Sequence, residues 1–201
     1  MNVYVESNFV LELALLQEQY ESCQALLRLC ETSSVRLVIP GYSVAEPHET
    51  LLRRQKQRKR LKKELDDEIR QIARTTTYAD GLSRFDYLTS LLIRVTDEEA
   101  KRLDDIRAHL VKVGSVIPLD ASVLAAATQY EKTHGFSPQD AIVYSSVLSH
   151  LRRSDRHGSC FLNRNSRDFD DQNIVDELGR YNCKLLYRFD SGRDYILRAI
   201  S

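Results

Sequence analysis

Glu6, Glu46, Asp140 and Asp168 stand in the settings VYVES, SVAEP, SPQDA and SRDFD, each where a strand ends or a helix begins. Carboxylates so far apart in sequence can meet only if the fold carries them to one edge, and the strand ends of an open α/β sheet form such an edge. A carboxylate cluster there is a site for a hard cation. Two carboxylates about 5 Å apart repel by roughly 3 kcal/mol at an effective dielectric near 20, and four together push protons onto one another. A divalent ion removes that cost, and an all-oxygen ligand set favours magnesium or manganese over zinc. Such an ion can activate water, bind a scissile phosphate and stabilise the leaving oxygen.

Each acid also has a plainer role open to it. Asp140 lies three residues after Ser137, and Glu46 three after Ser43, the spacing of a capping box. Glu6 could be an exposed residue after an edge strand, and Asp168, Asp170 and Asp171 could cap a helix that begins near Asn173. The joint placement favours the cation site, because three of the four acids follow a strand on its C-terminal side.

The elements that must position these acids can be read from periodicity. Val3, Tyr4 and Val5 form a short apolar strand. Phe9, Leu13, Leu16, Tyr20, Cys23, Leu26, Leu27 and Cys30 recur at helical spacing, and Arg36–Pro40 is a second strand stopped by Pro40 and Gly41. Strand, helix and strand of these lengths make a βαβ unit with parallel pairing and a right-handed crossover. A helix opens over Ser43–Glu46 with Pro47 in its first turn and runs, highly charged, to Arg74. Two further helices are expected over Arg84–Arg94 and Thr96–Val113, the latter capped by Thr96. A strand follows at Val116–Leu119, then a helix from Asp120 to His134 that ends at Gly135, and another from Ser137. Cys160–Leu162 reads as a strand, Asn163–Asp171 as a polar loop, Ile174–Tyr181 as a helix and Cys183–Tyr187 as the last strand. The expected fold is a three-layer α/β/α domain with a mostly parallel central sheet. It is a single domain over residues 1–201, with a helical insertion over about 55–113.

Composition excludes little but bounds the answer. The 201 residues carry 29 basic and 29 acidic side chains, so net charge makes no case for nucleic acid or membrane. Cys23, Cys30, Cys160 and Cys183 show neither a CxxC pair nor a Cys/His zinc spacing, and read as small buried residues in a reducing compartment. The opening MNVYVESNF lacks the basic and apolar regions of a signal peptide. No apolar run reaches the roughly 18 residues of a membrane span, so the expected location is cytoplasmic.

The residues around the acids also match a known pattern. VYVESNFVLELAL resembles the opening of a PIN domain, a strand followed by acid, small hydroxyl and Asn. IPGYSVAEP is similar to that family's second-strand exit with its helix-borne Glu. GFSPQDAIVYSSV resembles its third motif, an Asp opening an apolar helix, and CFLNRNSRDFD its fourth, a strand leading into an acidic loop. The resemblance spans the first 50 residues and about 115–190. It implies a metal-dependent nuclease acting on RNA or single-stranded ends, with Glu6, Glu46, Asp140 and Asp168 holding Mg²⁺ or Mn²⁺. Ser7, Asn8 and Asn165 would be supporting polar residues. Two positions depart from the family pattern: its first acid is usually Asp where Glu6 stands here, and its Thr-x-Asp is replaced by Asn163 and Asn165. The magnesium ion keeps several waters, so three acids with amide or water ligands still make a reasonable site.

The stretch Arg53–Lys63 carries eight positive residues in eleven, followed by Glu64, Asp66, Asp67 and Glu68. Arg60–Glu64, Lys62–Asp66 and Lys63–Asp67 are i,i+4 pairs of a solvated helix face. Arg53, Arg54, Lys56, Arg58 and Lys59 lack acids nearby in sequence and could grip a nucleic-acid backbone beside the acids. The five histidines form no pair at ligand spacing, and His48 is read as a surface residue close to Glu46. Tyr42, Tyr78, Tyr87 and Tyr144 could stack on bases, with core or rim packing the plainer role for each. The leading expectation is an endoribonuclease that hydrolyses phosphodiester bonds in single-stranded RNA. Two alternatives stay open: a catalytically weak nucleic-acid-binding module, and a partner-binding scaffold such as one half of a toxin–antitoxin-like pair. The latter would involve an inhibitory protein, and a homodimer is likewise left open.

Overall fold

Val3, Tyr4 and Val5 are all fully buried, which places their strand in the middle of a sheet covered on both faces. The computed structural model describes residues 1–32, 34–75, 83–154 and 158–200, with the side chains of 83–86 outside the description. Its sheet has five strands: β1 (Asn2–Val5), β2 (Arg36–Pro40), β3 (Ser115–Ile117), β4 (Ser159–Leu162) and β5 (Cys183–Leu186). They lie in the order β3-β2-β1-β4-β5, and every pairing is parallel. The α/β expectation is met, with an all-parallel rather than a mostly parallel sheet.

Parallel pairing sends each chain segment back over a face of the sheet, and the alternation of side chains fills both layers. On one side Val3, Val5, Leu37, Ile39, Cys160 and Leu162 pack against α1 (Ser7–Leu15), α2 (Tyr20–Glu31), α3 (Gly41–Ile72), α4 (Ser83–Val113) and α9 (Phe189–Ile200). On the other, Tyr4, Val38 and Phe161 meet α5 (Ala121–His134), α6 (Pro138–Arg153), α7 (Ser166–Phe169) and α8 (Gln172–Gly179). All four cysteines are free and buried. Among the described residues no helix is long and apolar enough to cross a membrane.

Several boundaries differ from the sequence expectation for identifiable reasons. The single helix expected over Phe9–Cys30 is two, because Leu16 adopts the left-handed conformation (φ 51, ψ 50) and ends α1. Apolar spacing continues across that break, and Leu16, assigned to the apolar face, is 51% exposed. The next helix begins at Gly41 rather than Ser43, so Pro47 lies inside α3 and removes the bond an N–H there would give to the Ser43 carbonyl. The two helices expected between Arg84 and Val113 are one. No Gly or Pro interrupts that span, and the Thr96 hydroxyl, instead of capping, donates to the Leu92 carbonyl at 2.8 Å. The loop expected after β4 contains the one-turn α7, and the C-terminal α9 lies beyond the last element that the sequence predicts. Its Gly192 allows close approach to the sheet, since a Cβ there would stand 2.5 Å from Leu162 Cδ2. By contrast, Asp120, Gly135 and Ser137 cap and terminate helices at the expected residues, with Gly135 at φ 67.

One ion pair ties the charged arm to α4. Arg58, free of acids in its local sequence, makes a two-pronged pair with Glu99 of α4 at 2.5 and 3.1 Å, and its Nη1 also donates to Thr96 Oγ1 at 3.1 Å. The pairing is invisible locally because the two residues lie 41 positions apart. It corrects the expectation that Arg58 is available to a nucleic-acid backbone. Arg60–Glu64 and Lys62–Asp66 form as i,i+4 pairs, while Asp67 pairs with Arg70. Because the Glu99 side chain is only 7% exposed, Arg58→Ala should lower stability by about 2 kcal/mol, whereas Lys59→Ala should change it by less than about 0.5 kcal/mol. Urea unfolding of the two variants measures both, and equal effects would deny Arg58 its structural role.

Candidate metal and nucleic-acid cleft

The strand order reverses on either side of β1, where β2 lies on one flank and β4 on the other. Connections leave β1 and β4 toward opposite faces there, so the carboxyl ends of those strands border a crevice. A cleft of about 410 Å³ opens among elements that leave or cross that edge, within the range of small-ligand sites. Its lining includes Glu6, Ser7 and Asn8 at the exit of β1, Tyr42, Glu46, Thr50, Arg53 and Arg54 from α3, Gln139 and Asp140 from α6, and Asn165 after β4. Three of the four acids singled out in the sequence therefore line one cavity. Asp168 does not line it. Its Oδ2 accepts a 2.7 Å bond from Asn165 Nδ2 just outside.

Glu6 is the most constrained of these residues. Far from following an edge strand, it leaves the central one, is 6% exposed, and caps α1 by accepting the Asn8 amide at 2.9 Å on Oε2. Its other oxygen, Oε1, is buried without a hydrogen-bond partner among the described residues. Burial pushes the Glu6 carboxyl up to about 7, opposed by the Asn8 N–H and by the nearby Arg164 backbone, which lies outside hydrogen-bond geometry, and reinforced by the charge of Glu46. A carboxylate oxygen desolvated and left unpaired is costly unless a cation or proton answers it.

The remaining polar groups are held by short local bonds. Asp140 sits in the first turn of α6, where Ser137 Oγ donates to its Oδ2 at 2.6 Å and its own N–H donates back to Ser137 Oγ at 3.2 Å. Ser137 is the cap, and the Asp140 carboxylate takes the Ser137 hydroxyl rather than its backbone N–H, which leaves Oδ1 turned toward Asn165, whose Nδ2 donates to it at 3.2 Å. Asn165 consequently bridges Asp140 and Asp168, while its backbone N–H donates to the buried Asn163 Oδ1 at 2.7 Å. Thr50 Oγ1 donates to Glu46 Oε1 at 3.4 Å, one helical turn along α3. Glu46 caps nothing, because α3 starts five residues earlier. Burial, with the charges of Glu46, Glu49 and Asp140, raises the Tyr42 phenol above its ordinary value and keeps it a protonated donor.

Arg53 and Arg54 line the cleft, and Lys56 borders an adjoining shallow groove with Glu49, Leu52, Arg53 and Gln57. These three, together with the exposed Lys59, enter no ion pair among the described residues, unlike Arg58. Of the tyrosines considered for stacking, Tyr42 lines the cleft, Tyr144 is fully buried, Tyr87 is exposed and Tyr78 lies outside the described residues. Leu11, Thr50, Gln139 and Val143 also line the cleft, although no sequence motif singles them out. Thr50 and Gln139 are within reach of sequence reasoning, being one helical turn from Glu46 and adjacent to Asp140.

Among the described residues no group of three or more His, Cys, Asp or Glu is arranged to hold a metal ion. The donor set nevertheless suits a hard cation that retains water: every candidate ligand is an oxygen, and Glu6 Oε1 is buried and unpaired. Magnesium commonly takes only one or two protein carboxylates, so Glu6, Glu46 and Asp140 need not all touch the ion directly.

A PIN domain family model matches residues 3–169 of the chain. No curated protein matches it.

The raised Glu6 carboxyl sets a pH dependence. Below its ordinary value of 4.5 the group is protonated in both folded and unfolded chains. Between there and about 7 the folded chain retains a proton that the unfolded chain releases, so stability falls as pH rises through this window. Glu6→Gln should therefore be more stable than the parent by about 3 kcal/mol at pH 8 and by nearly nothing at pH 4. Urea unfolding at the two pH values checks this, and a pH-independent difference would contradict it. Manganese at pH 8 should raise the melting temperature of the parent more than that of Glu6→Gln.

Proposed function

This chain belongs to the PIN domain family, whose members are generally nucleases that use divalent metals, and from that premise we propose that it is a magnesium- or manganese-dependent endoribonuclease cutting single-stranded RNA. The observation that carries this reading is the convergence of Glu6, Glu46 and Asp140 on one cleft, with a buried unpaired oxygen on Glu6. Glu6, Glu46 and Asp140 would hold the cation, directly or through water. When bound, the ion supplies polarisation of the scissile phosphate and activation of water.

The chain's own residues account for the other requirements. Arg53 and Arg54 project charge into the same cleft as the acids, so they bind phosphates flanking the one that is cut. Their position on α3, two turns beyond Glu46, places them roughly 10 Å along the helix axis from it. That spacing suits an extended strand crossing the cleft rather than a lone nucleotide seated in it. Leu11, Val143 and the ring of Tyr42 give the cavity an apolar wall for sugar or base. The Asn165 amide holds Asp140 from one side as Ser137 does from the other, which fixes its carboxylate for coordination. Asp168 acts through Asn165 rather than as a ligand.

A second reading is favoured by Asn165, which stands where the family pattern has an acid and makes the site one carboxylate poorer. On that reading the cleft binds a nucleic-acid strand without cutting it efficiently.

Asp140→Asn should abolish manganese-stimulated cleavage of single-stranded RNA while leaving the unfolding free energy within about 1 kcal/mol of the parent. Absence of cleavage by the parent across metals and RNA substrates, with binding intact, would support the second reading instead. Removing Arg53 and Arg54 together should weaken RNA binding and reduce the slope of log K against log salt by about 1.4, at about 0.7 for each phosphate left un-neutralised on a single strand. An unchanged slope would place the RNA backbone elsewhere.

A further inference from the structure

Glu12 is an acid in an otherwise apolar helix face, and it is fully buried. A buried carboxylate needs partners, and Glu12 has two. Its Oε2 accepts the Gln19 backbone N–H at 2.8 Å, and its Oε1 accepts the guanidinium of Arg164, a residue 152 positions away. Arg164 also lies 3.6 Å from Glu18 through Nη2. None of these residues lines the cleft, yet Arg164 and Glu12 each adjoin something that does. Arg164 stands between Asn163, which orders the turn after β4, and Asn165, which bridges Asp140 and Asp168. Glu12 belongs to the helix whose first turn carries Ser7 and Asn8 and whose cap is Glu6. Gln19, at the other end of the network, accepts the Phe189 N–H at 2.6 Å and so ties the C-terminal α9 to the same point.

We propose that the Glu12–Arg164 ion pair is the positioning device of the cleft, clamping the β4–α7 turn onto α1 so that Asn165 and Glu6 face each other across it. The inference rests on the nuclease reading for its catalytic consequence. Its geometric content is separate, because the pair sets where Asn165 points whether or not RNA is cut. A charge pair is suited to this task because the alternative states are poor: displacing the turn would strand a carboxylate among apolar side chains. Groups that orient ligand-bearing residues commonly change metal affinity or activity by 10-fold to 100-fold when removed.

The test uses the full chain in three forms: the parent, Arg164→Lys, and the double variant Glu12→Gln with Arg164→Met. The double variant leaves no unpaired buried charge and retains an acceptor for Gln19, so it is built to fold. Two measurements are made on each: the side-chain amide signals of Asn165 by NMR, assigned with Asn165→Asp, and kcat and KM for a single-stranded RNA with manganese. In the double variant the Asn165 signals should shift or broaden, and kcat should fall about 10-fold to 100-fold with little change in KM, since Arg53 and Arg54 are untouched. Arg164→Lys, which keeps a charge at that point, should restore most of both. A folded double variant with parental Asn165 signals overturns the proposal. One that fails to fold overturns it as well, because the pair would then serve the fold as a whole. If the parent itself cleaves no RNA while the Asn165 signals respond as expected, the nuclease reading fails and the positioning role stands.

Discussion

Everything at the cleft follows from a sheet whose strands all run the same way. Parallel pairing puts every carboxyl end on one edge, and the order β3-β2-β1-β4-β5 reverses the direction of the crossovers at β1 and β4. The residue leaving β1 therefore emerges into a gap that no crossover fills. In this chain that residue is Glu6, and the strand before it is buried on both faces. The fold thus forces a carboxylate into a poorly hydrated position, and the local sequence satisfies only one of its two oxygens. The other elements at this edge matter to function through what they bring to that unmet oxygen.

They bring charge of both signs in a spatial order. Acids from α3 and α6 share the cleft with Glu6, and the free arginines lie farther along α3. On the proposed reading an RNA strand is the complement, with a phosphate backbone that needs cations at intervals and a reactive centre that needs its negative charge cancelled. Arg58, a member of the same basic run, faces α4 and is committed to Glu99. Helical phase separates two members of the run: Arg53 lies within about 20° of Glu46 and lines the cleft, whereas Arg58, turned by about a third of a revolution, serves the packing of α3 on α4. Opposite the arginines, the cleft is held by Asn165 and, behind it, by the pairing of Arg164 with Glu12.

Sequence is most readable where a single residue dictates local geometry. Asp120, Gly135 and Ser137 mark helix ends because a cap or a left-handed residue leaves little choice of conformation. The five strands are legible because each is short, apolar and bounded by turn residues. Interactions whose partners lie far apart in the chain are not. Arg58 looks free because Glu99 is 41 residues away, and Glu12 looks like one more charge on a helix because Arg164 is 152 residues away. The break at Leu16 is hidden because the apolar spacing resumes in phase beyond it, and Thr96 resembles a cap because threonine can also bond back within a helix. At the site, position along strands is legible and orientation is not. The place of Glu6 can be read but its burial cannot, and Asp168, a ligand by its place in the sequence, bonds to Asn165 outside the cleft.

A manganese-soaked crystal read at the manganese absorption edge would bear on the nature of this cleft without recourse to any substrate. The expected result is an anomalous peak within about 2.3 Å of Glu6 Oε1 and of a carboxylate oxygen from Glu46 or Asp140, with waters completing the shell. A cleft that stays empty at saturating manganese, or a peak that engages none of these three carboxylates, would contradict a metal-dependent nuclease centre.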